Sequence, residues 1–318
     1  MHDTWSSTIG VLTLTVQERL VAVRDLVHRA PSLSAWRALC DLFTRWPEIE
    51  DLQVGLDYAE ANLDAHWPDA LREPDPRWWQ RFVRHQSEPR FRLVRAFALS
   101  AHHLRELDML LDAPWLHLIR HMSCRWPRVR LAPGNRSRWN ANDATTRLLR
   151  APQLSGLRSL SLGGLSPSLK LLQMLAADEL PALRALDLRG CGLTPPLLAA
   201  LSRGPSQLHQ LNLSFNELQA IDLRLLRQAP WQTTLTALDL SFNDLQDGGA
   251  ATLASIPWSR LGVLKLESNG IRVRGAQDLA SSSQFAQLQT LDLSRNPLFV
   301  RGSLALGRSS NLDQLREL

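Results

Sequence analysis

Three side chains that can bind a metal ion lie close together in the stretch HLIRHMSC. His117, His121 and Cys124 are spaced i, i+4 and i+7, which would place them on one face of a helix. Imidazole and thiolate groups are the ligands that zinc prefers. A fourth ligand is missing from the neighbouring sequence, however, and a partly buried helix face explains the spacing equally well. We therefore predict no metal site and no cofactor.

A catalytic cysteine is the second chemical possibility. Cys40 precedes Asp41, but it also falls on an apolar stripe at helical spacing with Trp36, Leu39 and Phe43. This pattern favours a buried thiol in a helical core. The sequence also lacks a phosphate-binding loop, a nucleophile elbow and an H-E-x-x-H motif. The chain is predicted not to be an enzyme.

Basic and aromatic residues are concentrated in the middle of the chain. Residues 1–80 have a net charge of −6, residues 81–160 of +10 and residues 161–318 of +1. The block 115–150 contains Trp115, Trp126 and Trp139 and the arginines Arg120, Arg125, Arg128, Arg130, Arg136, Arg138, Arg147 and Arg150. Cations beside aromatic rings suit a single-stranded nucleic acid. Nucleic-acid binding is therefore one alternative function, whereas a solvated basic region, or one that contacts the acidic N-terminal part, is the other interpretation.

The elements that would position a binding surface are defined by a repeat. The stretch Leu235–Leu245, LTALDLSFNDL, has related copies that begin at Leu157, Leu183, Leu208, Leu261 and Leu288. Successive copies begin 25 to 27 residues apart. A fixed period of this length indicates a solenoid built from stacked units.

Each unit reads as a short strand, a polar turn and a helical connection. In LxxLxL the last two leucines alternate, as in a strand with one buried face. An Asn then follows, whose amide can hydrogen-bond to backbone groups where the strand turns away. This structural ladder comprises Cys191, Asn216, Asn243, Asn269 and Asn296. Connections such as TPPLLAALSRG have the N-cap, early prolines and closing glycine of a helix.

These units resemble leucine-rich repeats, and their length resembles the ribonuclease-inhibitor type, which also accepts Cys at the Asn position. The resemblance covers Leu157 to the C-terminus. It implies an α/β horseshoe with a parallel sheet on the concave face and helices on the convex face. The layout, a helical segment before irregular and then regular repeats, is similar to that of some bacterial members. The family is mostly a binding family, so the resemblance implies a protein-binding scaffold; a regulator of a small GTPase is a further alternative.

The pattern also predicts the side chains on the concave face. The outward position between the second and third leucines gives Asp187, Asn212, Asp239, Lys265 and Asp292. Two positions after the third leucine come Phe215, Phe242 and Arg295. Phe215 and Phe242 should stack as neighbours, and aromatic anchors are typical of binding hot spots. We predict that these eight residues form the partner-binding site, although local packing of the two rings is the alternative.

The rest of the chain is divided into three parts. Residues 1–90 are predicted to form an acidic helical domain, because Thr15 and Glu18 form a capping box and two further apolar stripes follow. Residues 91–156 are predicted to be irregular capping repeats, with Trp126, Val129 and Leu131 as one set of pattern positions, and 157–318 the regular repeats. No apolar run is long enough to span a membrane, the N-terminus is a poor signal peptide, and three scattered cysteines do not form a disulfide framework. Cytoplasmic localisation is expected, with an unnamed protein partner and no membrane association.

Overall fold

The computed structural model describes residues 14–47, 50–85, 87–124 and 141–317. The chain divides into two compact units. Unit 1 comprises Met1–Leu99 and Glu106–Met122, and unit 2 comprises Ser100–Arg105 and Ser123–Leu318. Our three-part division of the sequence remains a prediction.

Unit 1 is mainly helical at its N-terminal end, as the sequence predicts. Helix α1 begins after the Thr15 cap, where Thr15 and Glu18 form a capping box. The second helix is capped by Ser32, which accepts a hydrogen bond from the backbone N–H of Ala35 at 3.2 Å. The elements are α1 Val16–Val27, α2 Leu33–Arg45, α3 Glu50–His66, α4 Pro76–His85, β1 Ala96–Leu99 and α6 Leu107–Leu111. Single 3-10 turns span Asp69–Leu71, Pro89–Leu93 and Leu116–Leu118.

The core of unit 1 is rich in aromatic side chains. Trp36, Leu39 and Phe43, from the predicted stripe of α2, are buried. A second cluster contains Trp79, Phe82, Phe91, Phe97 and Trp115, and the rings of Phe91 and Trp115 stack with centroids 4.1 Å apart. Large aromatic side chains bury much apolar surface each, so a few of them suffice to hold short helices together.

Arginine side chains attach the segment after α4 to the earlier helices. Arg90 is fully buried, pairs with Glu88 at 2.6 Å and donates to the carbonyl of Phe43 at 2.8 Å. Arg95 pairs with Asp64 of α3 at 2.9 Å, and Arg92 pairs with Glu60. The acidic face of α3 is thus matched by cations within its own unit.

Strand β2, His121–Cys124, corrects one sequence-based interpretation. The stretch HLIRHMSC is a 3-10 turn followed by a strand, so the prediction that its ligand residues share a helical face is wrong. Val94, Phe97 and Leu99, which are buried, hold the three leucine positions of a first irregular repeat. Ile119, Met122 and Cys124 are also buried and hold the same positions 25 residues later. The pattern positions that we assigned further on, Trp126, Val129 and Leu131, lie outside the described residues.

Unit 2 contains the regular repeats. Strands β3 Ser159–Ser161, β4 Ala185–Asp187, β5 Gln210–Asn212, β6 Ala237–Asp239, β7 Val263–Lys265 and β8 Thr290–Asp292 form a parallel sheet in chain order. Their second leucines are in register, from Leu160 opposite Leu186 through to Leu264 opposite Leu291. Each copy of the motif therefore contributes one strand, so the α/β parallel-sheet fold predicted from the sequence is confirmed.

Helical segments connect successive strands. The helices of this unit are α5 Ala101–Arg105, α7 Ala141–Leu149, α8 Leu169–Ala176, α9 Pro195–Leu201, α10 Ala220–Leu223, α11 Gln246–Ala254, α12 Val273–Ser281 and α13 Phe299–Gly307. The leucines of the repeats fill the space between helices and sheet, where nearly all are less than 8% exposed. In the described part of the chain, no helix is both long and apolar enough to cross a membrane.

Candidate functional site

The face of the sheet opposite the buried leucines carries a straight row of polar side chains. Asp187, Asn212, Asp239, Lys265 and Asp292 are paired in register across β4 to β8. Neighbouring strands of a sheet are about 4.8 Å apart, so the three carboxylates follow one another at intervals of roughly 9.6 Å. We call these five residues the polar row.

The turn after each strand fixes the orientation of the polar row. Oδ1 of Asp187, Asp239 and Asp292 accepts the backbone N–H two residues later, each at 2.9 Å. Asn212 accepts in the same way from Ser214. This local bond restricts rotation of the side chain and, in the three aspartates, uses only one of the two carboxylate oxygens. Ser161 donates to that second oxygen of Asp187 at 2.8 Å, whereas no described residue donates to Oδ2 of Asp239 or Asp292.

Small side chains beside the polar row create a shallow groove. Its volume is about 400 Å³. Its floor is formed by the residues that precede the second leucine of each repeat, Ser159, Ala185, Gln210, Ala237 and Val263. Four members of the polar row, Asp187, Asn212, Asp239 and Lys265, form one side of this groove, and the small side chains of Ala185 and Ala237 let a partner approach the backbone closely at those positions.

Two phenylalanine rings lie at the end of the strands beside the polar row. The rings of Phe215 and Phe242 are stacked, with centroids 4.2 Å apart and planes 13° apart. The guanidinium of Arg189 lies over Phe215 at 4.3 Å, and that of Arg295 lies 5.8 Å from the centroid of Phe242. We call these four residues the cation–aromatic stack. Phe215 remains 38% exposed, so the edges of its ring face solvent.

The backbone at both phenylalanines is left-handed. Phe215 has φ of 59° and Phe242 of 56°. Gly164 and Gly190 hold the same position in the two preceding repeats and also have positive φ. A non-glycine residue in this region costs roughly 1–2 kcal/mol. Ser268 and Arg295, at the same position of the next two repeats, also have positive φ, so the left-handed turn is a shared feature of the repeats and the two rings stay there at a conformational cost.

The Asn of the repeat motif lies on the inner side of the same turn, which faces the core. Nδ2 of Asn216 donates to the carbonyls of Leu188 and Leu213 at 2.9 and 3.0 Å. Its Oδ1 accepts from the backbone N–H groups of Cys191 and Leu193. One side chain therefore joins two neighbouring repeats through these four hydrogen bonds, and Nδ2 also donates to the carbonyl of Ser214 at 3.1 Å. Asn243 and Asn296 make the corresponding four bonds in their repeats.

Two members of this ladder differ from the others. Asn269 donates to the carbonyls of Leu240 and Leu266, but its buried Oδ1 has no partner among the described residues. Cys191 replaces Asn and donates its thiol to the carbonyl of Leu162 at 3.2 Å. Burial and the nearby carboxylate of Asp187 raise the pKa of this thiol to about 12. Cys191 is therefore a neutral hydrogen-bond donor.

The comparisons with known proteins agree with this geometry. The family model described as Leucine Rich repeat matches residues 232–254, which include β6 and its Asn243. Together with six strands in register and the Asn bonds between repeats, this match identifies the repeated unit. The chain contains leucine-rich repeats. Proteins with leucine-rich repeats are generally protein-interaction scaffolds. The ribonuclease-inhibitor type and a bacterial origin remain predictions.

The solved structures that this chain is similar to are distant in sequence. An internalin (inlF) of Listeria monocytogenes is 16% identical over 66% of this chain and 64% of its own, with a TM-score of 0.35. The tropomodulin C-terminal domain of Caenorhabditis elegans is 12% identical over 55% of this chain and 93% of its own, at 0.35. TLR13, solved in a complex with ssRNA13, is 17% identical over 73% of this chain and 33% of its own, at 0.39. The chain thus spans less than two thirds of the internalin and of TLR13. No curated protein matches the sequence.

The arginines and tryptophans of the block 115–150 lie partly within and partly outside the described residues. Arg125, Arg128, Arg130, Arg136 and Arg138 lie outside the described residues. Arg120 donates to the carbonyl of His117, and Arg150 pairs with Glu179 at 3.0 Å. Trp115 is buried in the aromatic cluster of unit 1 and is not available to stack on a base.

The structure also describes Cys40, the candidate nucleophile, and His117, a candidate metal ligand. Cys40 is buried, and burial raises the pKa of its thiol well above the usual value, which suits a core residue rather than a nucleophile. His117 is exposed, and no group of three metal-ligating side chains occurs within the described residues.

Two features of the leucine-rich repeat face were missed by the sequence analysis. Arg189 was not assigned to the site, although it follows the third leucine directly and precedes a residue of the Phe position. The left-handed turn was missed as well, and the glycines at 164 and 190 were its signal. The groove depends on Ala185 and Ala237, which a search for charged and aromatic residues passes over.

Proposed function

We propose that this leucine-rich repeat protein is a non-catalytic scaffold that binds a protein partner on the polar row, the groove and the cation–aromatic stack. The observation that carries the proposal is the stacked pair of Phe215 and Phe242, in which Phe215 is exposed and Phe242 half-buried. Aromatic residues are enriched among interface hot spots.

The charges of the face favour a protein over a nucleic acid. Asp187, Asp239 and Asp292 give the sheet surface three carboxylates against Lys265 alone in the same row. A phosphate backbone laid along that row would be repelled by the carboxylates, because nucleic-acid affinity arises mainly from phosphate contacts with cations. A protein surface can present cations and apolar groups together.

The experiment compares the wild-type protein with the double variant Phe215→Ala, Phe242→Ala as bait in nuclease-treated lysate of the source cell, with mass spectrometry of the bound proteins. A matched control replaces two exposed apolar residues on helices α10 and α13, Ile221 and Phe299, with Ala. We expect one partner to be retained by the wild type and the control and lost by the Phe215/Phe242 variant. The loss in affinity should be tenfold or more, since hot-spot truncation costs roughly 2 kcal/mol or more.

Melting temperatures of all three proteins must accompany the binding data. A Phe215/Phe242 variant that no longer folds would show that the two rings are core residues. A folded variant that retains every partner would place the binding surface elsewhere. Partners that both baits recover from untreated lysate and lose after nuclease treatment would instead support the Arg-rich block.

A further inference from the structure

The polar row alternates in charge with a regular interval. Its order along the sheet is Asp187, Asn212, Asp239, Lys265, Asp292, with one residue contributed by each strand. At about 4.8 Å per strand the five positions lie at roughly 0, 4.8, 9.6, 14.4 and 19.2 Å. The three carboxylates occupy the first, third and fifth positions, and the single cation occupies the fourth.

In an α-helix that lies across the strands, residues on one face have nearly the same spacing as the polar row. Its residues rise 1.5 Å each, so positions i, i+3, i+7, i+10 and i+14 lie at roughly 0, 4.5, 10.5, 15 and 21 Å along one face. The largest mismatch with the polar row is about 2 Å, at the far end, which the long side chains of Lys and Arg can absorb. Every strand of the row therefore meets one residue of such a helix.

We propose that the partner contributes an α-helix that lies across β4 to β8 and carries Lys or Arg at i, i+7 and i+14. The inference rests on the proposed scaffold function and names its partner class. The cations of the helix pair with Asp187, Asp239 and Asp292, and an Asp or Glu at i+10 pairs with Lys265. The groove over Ala185 and Ala237 accommodates the stems of these side chains.

The structure supports the pairing because the carboxylates are preorganised. The Oδ1 of each carboxylate is held by a backbone N–H at 2.9 Å, so little side-chain freedom is lost when a cation binds the other oxygen. At the side of the row, the edges of Phe215 and Phe242 offer an apolar contact next to Asn212 and Asp239. An apolar residue on the flank of the helix, at i+4 or i+6, meets these rings.

Other backbone conformations fit the row less well. In an extended segment, residues three apart span about 10 Å but point to opposite faces, so consecutive carboxylates cannot be contacted from one side. A polyproline II segment repeats on one face every three residues, or about 9.3 Å. It can reach the carboxylates but has no residue for Asn212 and Lys265, which lie between them.

The test uses a stapled helical peptide of about 18 residues, long enough to cross all five strands of the row at 1.5 Å per residue. It carries lysine at its first, eighth and fifteenth positions, glutamate at its eleventh, and alanine or glutamine elsewhere. The control peptide has the same composition, with its lysines at the first, sixth and eleventh positions and its glutamate at the fifteenth, which spreads the lysines around the helix. Binding to the full-length protein is followed by chemical-shift changes of backbone amides at low salt, a method that detects millimolar affinity. We expect saturable shifts in β4 to β8 with the first peptide only.

Charge reversal provides the decisive arm. A peptide with glutamate in place of its central lysine should bind wild-type protein less tightly by roughly twofold to fivefold, the range for one surface ion pair, and should regain affinity with the protein variant Asp239→Lys. A peptide with lysine in place of its glutamate, together with the protein variant Lys265→Glu, forms the second reciprocal pair. Ile221→Ala, an exposed position on α10 outside the polar row and the groove, is the control variant and should change neither affinity.

Several results would overturn the inference. These are no saturable shift in β4 to β8 up to millimolar peptide, equal binding of the two peptides, no recovery in the reciprocal pairs, or tighter binding of a proline-rich peptide with lysine at every third residue. If any of these holds while the lysate partner still requires Phe215 and Phe242, the scaffold function stands and only the helical partner is lost.

Discussion

Replacement of Asn216 by Ala should destabilise the repeats more than any other single change in the Asn ladder. The side chain is 4% exposed and makes hydrogen bonds to backbone groups of two successive repeats. Alanine removes both the donor and the acceptor without space for several waters to replace them. The variant thus tests whether the repeats are held together by buried amide groups in addition to apolar packing.

The magnitude follows from the bonds that are lost. The carbonyl of Leu188 and the N–H groups of Cys191 and Leu193 lose the only side-chain partner that they have among the described residues. The carbonyl of Leu213 retains the amide of Asn243 at 3.1 Å. A buried polar group without a partner costs about 1–3 kcal/mol. With three such groups at the lower end of that range, we expect a loss of about 3 kcal/mol in the free energy of unfolding.

Urea unfolding followed by far-ultraviolet circular dichroism provides the measurement, with Gln210→Ala on β5 as the matched control. Gln210 is exposed, so its replacement should change the free energy of unfolding by less than about 0.5 kcal/mol. A similarly small change for Asn216→Ala would refute the argument. It would mean that the freed backbone groups find other partners at little cost.

Three further outcomes are expected. Asn243→Ala should also lower the free energy of unfolding, but by about 1–2 kcal/mol, because this side chain is only half-buried; an unchanged melting temperature would contradict its structural role. Burial raises the pKa of Cys191 from 9.0 to about 12, so the thiol of the unfolded chain ionises at a lower pH than the thiol of the folded chain. The free energy of unfolding should therefore fall as pH rises from 9 towards 12. In urea unfolding across that range, the wild type should show a steeper decline than Cys191→Ala. Binding to a single-stranded oligonucleotide should be weak and unsaturated at moderate salt, and a saturable affinity that falls steeply with salt in titrations would transfer the function to the Arg-rich block.

The regular repeats could be predicted because each strand depends on a pattern of alternating residues that lie close together in the sequence. Leu186, Leu211 and Leu238 alternate with outward residues, and a strand requires little else to define its two faces. The helical N-terminal region could be predicted for a similar reason, since Thr15 and Glu18 are only three residues apart. In both cases the evidence lies within one turn or one strand.

The irregular segments could not be predicted in the same way. Cys124 is separated from His117 by a change from 3-10 turn to strand, and helical spacing gave no sign of that change. Ile119 and Met122 are apolar residues in the leucine positions, but the nearby Trp126 and Leu131 offered an equally plausible alignment. The choice depended on pairing between strands, which is a non-local contact.

Within the site, the sequence predicted contacts between equal motif positions of adjacent repeats and missed contacts between different motif positions. The pairing of Phe215 with Phe242 follows from their equal place in adjacent repeats, and their rings do stack. Arg189 reaches Phe215 from the preceding repeat, where it holds a different position in the motif. A column-by-column comparison of the repeats does not reveal such diagonal contacts.

The left-handed turn connects the structural and functional roles of the repeats. Gly164 and Gly190 show that the turn closes without a side chain, so Phe215 and Phe242 are not required for its geometry. Their rings offset part of the conformational cost by stacking on each other and beneath Arg189. Yet Phe215 keeps 38% of its surface exposed, which burial alone would not favour. A ring held rigidly, at a cost, with its edge in solvent loses little further freedom on binding, and that property suits a recognition surface better than a core.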